Sequence, residues 1–192
     1  MGTSFVRIYN RFLGRITDDM YVELTPEDTI RDLRSLLIDA IPSFEFPRKN
    51  ISDFTIESIF VKEEDVSPGD FVIKLIEKED EENEIFFEAC IEHSYFSVDL
   101  TEEEINILAI LMMNGWLQRQ ITSIENIRMK YSGSDFKFTS QANHLAKLLN
   151  LLEETQRQSH HLQRLYKRRK TDNSGNISSN WSVFRQVSAI DD

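Results

Sequence analysis

The sequence has few of the residues on which disulfide bonding, export and membrane insertion depend. Its 192 residues include a single cysteine, so no disulfide can form within one chain. Cys90 lies in the apolar run IFFEACI, and we expect its thiol to be buried and inert. No run of about 18 apolar residues is present, and the amino-terminal segment alternates charged with apolar side chains, which predicts neither a membrane span nor a secretory signal. We expect a soluble chain that is not exported.

The sequence also lacks the arrangements of residues that support catalysis and cofactor binding. The segment SGSDFK at 132–137 lacks the lysine and hydroxyl spacing of a phosphate-binding loop. The adjacent histidines at 160–161 point to different sides of a predicted helix, and no cysteine pair accompanies them, which argues against a zinc site. The acidic residues at 18–19 are typical of a turn, and those at 102–104 of a helix start. We therefore assign no catalytic residue, metal site or cofactor, and expect no enzyme activity.

Charge is distributed unevenly along the chain. Residues 1–104 hold 10 Lys/Arg and 26 Asp/Glu, residues 105–170 hold 11 and 4, and residues 171–192 hold 1 and 3. An acidic first half and a basic second half favour head-to-tail contact between copies of the chain. Alternatively, the acidic surface faces a molecule that it must repel. Ordinary variation of surface charge is the alternative.

The segment from Thr139 to Lys170 predicts one long helix. Apolar side chains recur in it at spacings of three and four, so one side of the helix requires a partner. At a rise of about 1.5 Å per residue it would run roughly 45 Å, and we expect its far end to extend beyond its own domain. A polar patch over residues 155–161 interrupts the apolar face, and we favour a polar partner for it over solvent.

Two further helices are indicated near the amino terminus. Residues 5–16 have the spacing of a short amphipathic helix. The dipeptide Thr25-Pro26 is a strong start for the next helix, which we expect to continue to Pro42.

A capping box of Thr101 and Glu104 starts the helix that follows in the second half of the chain, and we expect it to be mostly buried. Gly115 in its middle predicts the close approach of a neighbour or a kink. We expect residues 122–138 to form a loop that returns the chain to the long helix.

Between these helices the pattern is typical of strands. The runs at 54–61, 71–77 and 85–91 are rich in Ile, Val and Phe and are separated by turn signals, which predicts three antiparallel strands. The acidic run EKEDEENE at 77–84 is most simply a solvated hairpin tip, since it lacks the turn glycine of a calcium loop.

Together these elements predict an α+β, mainly α fold with a long carboxyl-terminal helix and a small three-stranded antiparallel insertion. We divide the chain into amino-terminal core helices (1–50), the β insertion (51–98), a two-helix core with the long helix (99–170) and an extended carboxyl-terminal arm (171–192).

Two segments near the carboxyl terminus are candidate contact sites. Cations at the end of the long helix complement its macrodipole and are available to a partner or to phosphate groups. The polar tail contains a short apolar motif of the kind found in an arm that docks on a partner. The candidate partner-binding residues are Arg164, Lys167, Arg168, Arg169, Lys170, Trp181, Val183, Phe184 and Val187.

Two segments of the second half resemble small virion neck proteins of tailed bacteriophages. They are DLTEEEINILAILMMNGWLQRQI at 99–121 and SGSDFKFTSQANHLAKLLNLLEE at 132–154, followed by a polar helix ending in LYKRRK. In that pattern a capped helix with a Trp-Leu pair precedes a loop and a long helix. The opening IYNRFLGRITDD also resembles the amino-terminal portion of these proteins. The resemblance covers about half of the chain and includes no catalytic signature.

The resemblance implies a head–tail connector, or adaptor, located in the virion neck and in the host cytoplasm during assembly. Its copies would form a ring, twelve-fold by family resemblance, below the portal protein and above downstream neck and tail proteins. DNA would pass through the ring without sequence-specific binding, and the arm would dock on the portal or on a neighbouring subunit. By position, the inter-helix core would include Trp116, Leu117, Phe136, Phe138 and Leu145.

Several alternatives stay open at this point. The β insertion is not part of the helical core of such adaptors, so a stopper or a tail-side ring protein is possible. A DNA-binding regulator would use the basic end of the long helix, although the acidic balance of the chain argues against it. An accessory or chaperone-like binding module would use the polar middle of that helix.

Overall fold

A computed structural model describes residues 2–16, 20–79, 85–130, 138–171 and 177–178. The helices are α1 (Phe5–Leu13), α2 (Met20–Glu23), α3 (Pro26–Ala40), α4 (Glu102–Lys130) and α5 (Phe138–Arg168). The strands are β1 (Phe54–Thr55), β2 (Ser58–Lys62), β3 (Val72–Glu79), β4 (Ile85–Glu92), β5 (Tyr95–Phe96), β6 (Lys170–Thr171) and β7 (Ile177–Ser178). The predicted fold class, mainly helical with a long helix and a small antiparallel sheet, is confirmed.

The helix starts lie where the sequence predicts them. Thr25 caps α3, because its hydroxyl oxygen accepts a hydrogen bond from the backbone N–H of Asp28 at 3.2 Å. At the start of α4, the Thr101 hydroxyl accepts from the Glu104 N–H at 3.3 Å, and the Glu104 carboxylate accepts from the Thr101 N–H at 2.7 Å. This reciprocal pair is the predicted capping box.

The predicted loop at 122–138 is wrong over residues 122–130, which continue α4. The apolar face of α4 extends into this segment, since Ile121 is buried and Ile124 half-buried, and no glycine or proline interrupts residues 116–130. Residues 131–137, including Phe136, lie outside the described residues. At the other end of the pair, α5 ends at Arg168, two residues earlier than predicted.

The predicted strand at 54–61 is also wrong as one element, because the chain divides it into β1 and β2. β1 pairs with β5, whereas β2 pairs with β4. At the break, the Ser94 hydroxyl accepts from the Glu57 N–H at 3.2 Å, and the His93 N–H donates to the Glu57 carbonyl at 3.1 Å. The backbone of Glu57 therefore bonds to residues 93 and 94, between β4 and β5, and the pairing changes from β5 to β4 at this residue.

Three antiparallel strands form the sheet of the insertion, in the order β2-β4-β3. The predicted strands at 71–77 and 85–91 correspond to β3 and β4, which confirms them. β4 is central, and its end at Ala89–Glu92 is buried. Cys90 is free and buried there, as expected. Of the acidic run, residues 80–84 lie outside the described residues.

The hydrophobic core lies between α1, α3, α4 and the end of α5. Its largest fully buried side chains are Tyr9, Tyr166, Phe5, Phe12, Phe96, Ile8, Leu33, Leu36, Leu37, Ile105, Ile107 and Leu108. A partly buried ion pair between Arg34 of α3 and the buried Glu92 of β4 connects the helices to the sheet. Residues 3–5 run beside residues 94–98 and exchange backbone hydrogen bonds with them, so that the amino terminus is also tied to the insertion.

Candidate functional site

The carboxyl-terminal end of α5 is held by a loop segment, residues 44–48, that we call the clasp. The guanidinium of Arg48 donates to the carbonyl oxygen of Tyr166 at 2.8 Å and also to that of Arg169. These carbonyls lie at the end of the helix, where no intrahelical donor is available to them. The same guanidinium lies 4.3 Å from the centre of the Tyr166 ring. Arg48 therefore both caps the helix and packs on one of its aromatic side chains.

A buried hydrogen bond joins the end of α5 to the start of α4. The phenol of Tyr166 donates to the carboxylate of Glu104, whose other oxygen closes the capping box. Burial, and next the hydrogen bond to Glu104, raise the pKa of Tyr166 well above its ordinary value. Because the start of α4 meets the end of α5, the two helices are antiparallel, and Glu104 fixes their register.

The predicted basic cluster divides into engaged and free cations. The Lys167 ammonium lies 3.9 Å from the centre of the Phe46 ring in the clasp, and Arg169 pairs with Glu103 at 2.9 Å. Arg164 and Arg168 are exposed and have no ion-pair or hydrogen-bond partner among the described residues. Two of the predicted contact residues are thus used within the chain, and two are presented to a partner.

The remaining predicted contact residues follow the end of α5 in the sequence. Lys170 forms β6 with Thr171, and this strand pairs with β7, so part of the predicted extended arm is a short antiparallel ladder. The four residues of the apolar motif, Trp181, Val183, Phe184 and Val187, lie outside the described residues.

The inter-helix positions implied by the family resemblance can be compared in part. Leu117 and Leu145 are buried and Trp116 is half-buried. The side chain of Phe138 is not among those described.

The polar patch of the long helix contributes buried side chains. Thr155, Ser159 and Gln163 are buried at intervals of four residues, which places them on one face. The Gln163 side-chain oxygen accepts from the backbone N–H of Glu45 in the clasp at 2.7 Å, and its amide donates to Ser159 at 3.3 Å. The clasp is therefore one polar partner of this patch, supplied by the same chain.

A polar groove of about 990 Å³ lies between α3, α4 and α5. On its wall Arg119 donates to Asp32 and Asp39, each at 2.8 Å, and to the Ser35 hydroxyl at 3.0 Å. His160 of α5 lines the other side of the groove. The ion pairs of Arg119 hold α3 against α4, so the charged groups of the groove serve the packing of the helices.

The acidic charge is concentrated in the β insertion. Residues 51–98 hold 14 acidic and 3 basic side chains, a net charge of -11, which equals the net charge of the whole chain. The remaining residues carry 19 of each sign. On the outer part of this sheet Leu75, Ile85 and Phe87 are 53%, 59% and 43% exposed. Sequence reasoning missed this apolar surface, because the alternation of residues along β4 does not show which of its faces is exposed.

Within the described ranges, no cluster of three or more His, Cys, Asp or Glu side chains has the arrangement of a metal site. None of the helices in the described part of the chain combines the length and the apolar composition needed to cross a membrane. Comparison with models of protein families, with curated proteins and with solved structures finds no match for this chain.

Proposed function

We propose that this chain is a structural subunit of a tailed-bacteriophage neck, a head–tail connector that joins a ring below the portal around the DNA channel. The motifs at 99–121 and 132–154 motivate the proposal. The antiparallel pair of long helices, to which residues 102–121 and 138–154 of these motifs belong, supports it, because a ring of such pairs forms a helical collar. The chain has no assigned catalytic role in this proposal.

One observation carries the proposal furthest: two leucines in the leucine-rich half of α5 are exposed, although Leu145 in the same half is buried. Leu149 and Leu151 are 46% and 38% exposed, while the other half of the same helix is fixed by the clasp. An apolar surface on a rigidly held helix is typical of a subunit that is completed by its neighbours.

The charge of the chain suits the passage of DNA. A net charge of -11 concentrated in one segment repels the phosphate backbone, so any part of that segment facing the channel would let DNA slide without binding it. The basic end of α5 then serves contact between proteins. In the proposed neck, Arg164 and Arg168 are the described cations available for the portal or a neighbouring subunit.

The tail is proposed to dock on the portal or on a neighbour through Trp181, Val183, Phe184 and Val187. Deletion of residues 171–192 should leave a folded protein that no longer enters particles. Circular dichroism of the truncated chain controls for folding. Normal incorporation of the truncated chain would show that the arm is not the docking element.

The proposal is tested by electron imaging of particles made when the chain is co-expressed with the structural genes encoded beside it. Rings, or density at the neck that is lost when the gene is omitted, are expected. The position of that density separates a connector directly below the portal from a stopper or a tail-side ring. A small monodisperse species without particle association would overturn the neck assignment.

A DNA-binding regulator makes a different prediction for the same two cations. It requires duplex binding that weakens steeply with salt and is lost in an Arg164→Glu, Arg168→Glu variant. For a connector, the wild-type chain binds duplex DNA no better than that variant does.

A further inference from the structure

We propose that the exposed apolar face of the three-stranded sheet binds the exposed basic stripe of α5 in a second copy of this chain. The inference names the contact between neighbours in the proposed ring, and in that respect it rests on the proposed function. Each copy would offer one surface of each kind, so the contact would repeat from copy to copy.

The first surface, the sheet patch, consists of Leu75, Ile85, Phe87, Glu77 and Glu79. In the register of β3 with β4, Glu77 lies opposite Phe87 and Glu79 opposite Ile85, and side chains of opposed residues share a face. Leu75 lies opposite Ala89, two residues along β4 from Phe87, so it is on this face too. The patch therefore combines three exposed apolar side chains with two carboxylates.

The opposite face of the sheet is different in charge, although Phe60 on that face is 55% exposed. Lys62 and Lys78 lie over the rings of Phe86 and Phe60, at 5.8 and 6.0 Å from the ring centres. The third lysine of the insertion, Lys74, lies opposite Cys90 and is on that face as well. All three lysines of residues 51–98 thus lie away from the sheet patch, whose charged side chains are acidic.

The second surface, the α5 stripe, consists of Leu149, Arg157, Arg164 and Arg168. Their spacings of eight, seven and four residues place them on one side of the helix, and all four are exposed. Arg157 pairs with Glu153 of the same helix at 2.5 Å, whereas Arg164 and Arg168 have no such partner in the described part of the chain. The stripe offers cations with long apolar stems beside an exposed leucine.

The two surfaces are complementary in charge and chemistry. Arginine side chains can pack their methylene groups on the leucine, isoleucine and phenylalanine while their guanidinium groups pair with Glu77 and Glu79. A symmetric contact of two sheet patches would instead bring the carboxylates of both copies together, which is unfavourable. Charge complementarity therefore selects the helix of a second copy as the occupant of the sheet patch.

A pair of variants tests the contact. The sheet variant carries Ile85→Ser and Phe87→Ser, and the helix variant carries Arg164→Glu and Arg168→Glu; all four positions are exposed, so both should fold. Sedimentation velocity of the full chain at low salt measures association. We expect the wild type to form species larger than a dimer as concentration rises. Each variant alone should lose at least roughly tenfold in apparent association constant, about 1.4 kcal/mol.

Mixing the two variants gives the sharper result. The helix variant keeps an intact sheet patch and the sheet variant an intact α5 stripe, so the mixture should form one-to-one dimers that grow no further. Control chains carrying Phe60→Ser on the opposite face, or Arg31→Glu with Lys147→Glu to match the change in charge, should associate as the wild type does.

Three outcomes would overturn the contact. They are a wild type that stays monomeric up to roughly 1 mM, a helix variant that associates like the wild type, and a mixture that forms no dimer. Neck density in particles together with any of these would refute the contact while the connector function stands. Association in solution without neck density would refute the function and leave the contact intact.

Discussion

The two halves of α5 reverse the usual relation between composition and burial. The half at 143–154 is rich in leucine, yet its described side chains are mostly exposed and only Leu145 is buried. The half at 155–168 is rich in polar residues, yet Thr155, Ser159 and Gln163 are buried there with Tyr166. Burial in this helix follows position relative to the clasp and to α4, and the uncovered leucines mark the half that is free for a partner.

The largest expected effect separates the two halves directly. Tyr166→Ala should lower the free energy of unfolding by about 3–5 kcal/mol, because it removes a fully buried ring from the junction of α4, α5 and the clasp. Leu149→Ala should cost less than about 1 kcal/mol, since Leu149 is already 46% exposed. Urea denaturation of both variants measures the difference. Equal costs would mean that the leucine-rich half is packed in the isolated chain and that the comparison fails.

The second effect concerns the hydrogen bond that fixes the anchored half. Glu104→Ala should cost about 1–3 kcal/mol, because it removes the capping box and leaves the Tyr166 phenol without its acceptor. In a Tyr166→Phe background the cost should be smaller, and the double-mutant cycle gives the coupling. Glu103→Ala is the matched control: its pair with Arg169 is partly exposed, so we expect a loss of less than about 1 kcal/mol. Additive costs for Glu104 and Tyr166 would show that the bond does not hold the helices.

Local sequence signals predicted the elements whose causes are local. The caps at Thr25 and Thr101 depend on side chains within three residues, and they were predicted correctly. The break between β1 and β2 depends on a distant partner, Ser94, and it was predicted wrongly because a tertiary contact overrides propensity there. The end of α4 was also predicted wrongly, although no glycine or proline interrupts residues 116–130.

The candidate site shows the same division. The cationic end of the long helix was evident in the sequence. Which of its cations are engaged within the chain was not evident. Lys167 is engaged by Phe46, and the buried Gln163 by the backbone of Glu45, 118 residues away in the sequence. No pattern within the helix indicates such a partner. The apolar sheet patch was missed for a related reason, since strands that alternate in sequence do not reveal which of their faces the helices cover.

The third effect is a dependence on alkaline pH that belongs to the anchored half and the core. Burial, followed by the Glu104 hydrogen bond, raises the pKa of Tyr166, and burial, followed by the Glu92 carboxylate, raises that of Tyr9. The stabilisation is complete below the unfolded pKa of about 10 and is lost above it, by roughly 1.4 kcal/mol per pH unit for each tyrosine. Urea denaturation from pH 9 to 11 should show this fall. A double Tyr9→Phe, Tyr166→Phe variant should have a flatter profile, and an unchanged slope would contradict the assignment.

The smallest expected effect concerns Gly115 of α4, which lies near the anchored half of α5. Gly115 lines the polar groove together with Ser159 and Gln163. The sequence predicted a close neighbour or a kink at this glycine; a methyl group there would lie 3.5 Å from Leu36 Cδ2, an ordinary van der Waals distance. Gly115→Ala should therefore raise the free energy of unfolding by about 0.5–1 kcal/mol through helix propensity alone. Thermal unfolding, with Ser123→Ala at an exposed position of α4 as the control, measures the gain. A loss instead would mean that α3 and α4 approach more closely than described, and that packing near the anchored half of α5 has no room for one carbon.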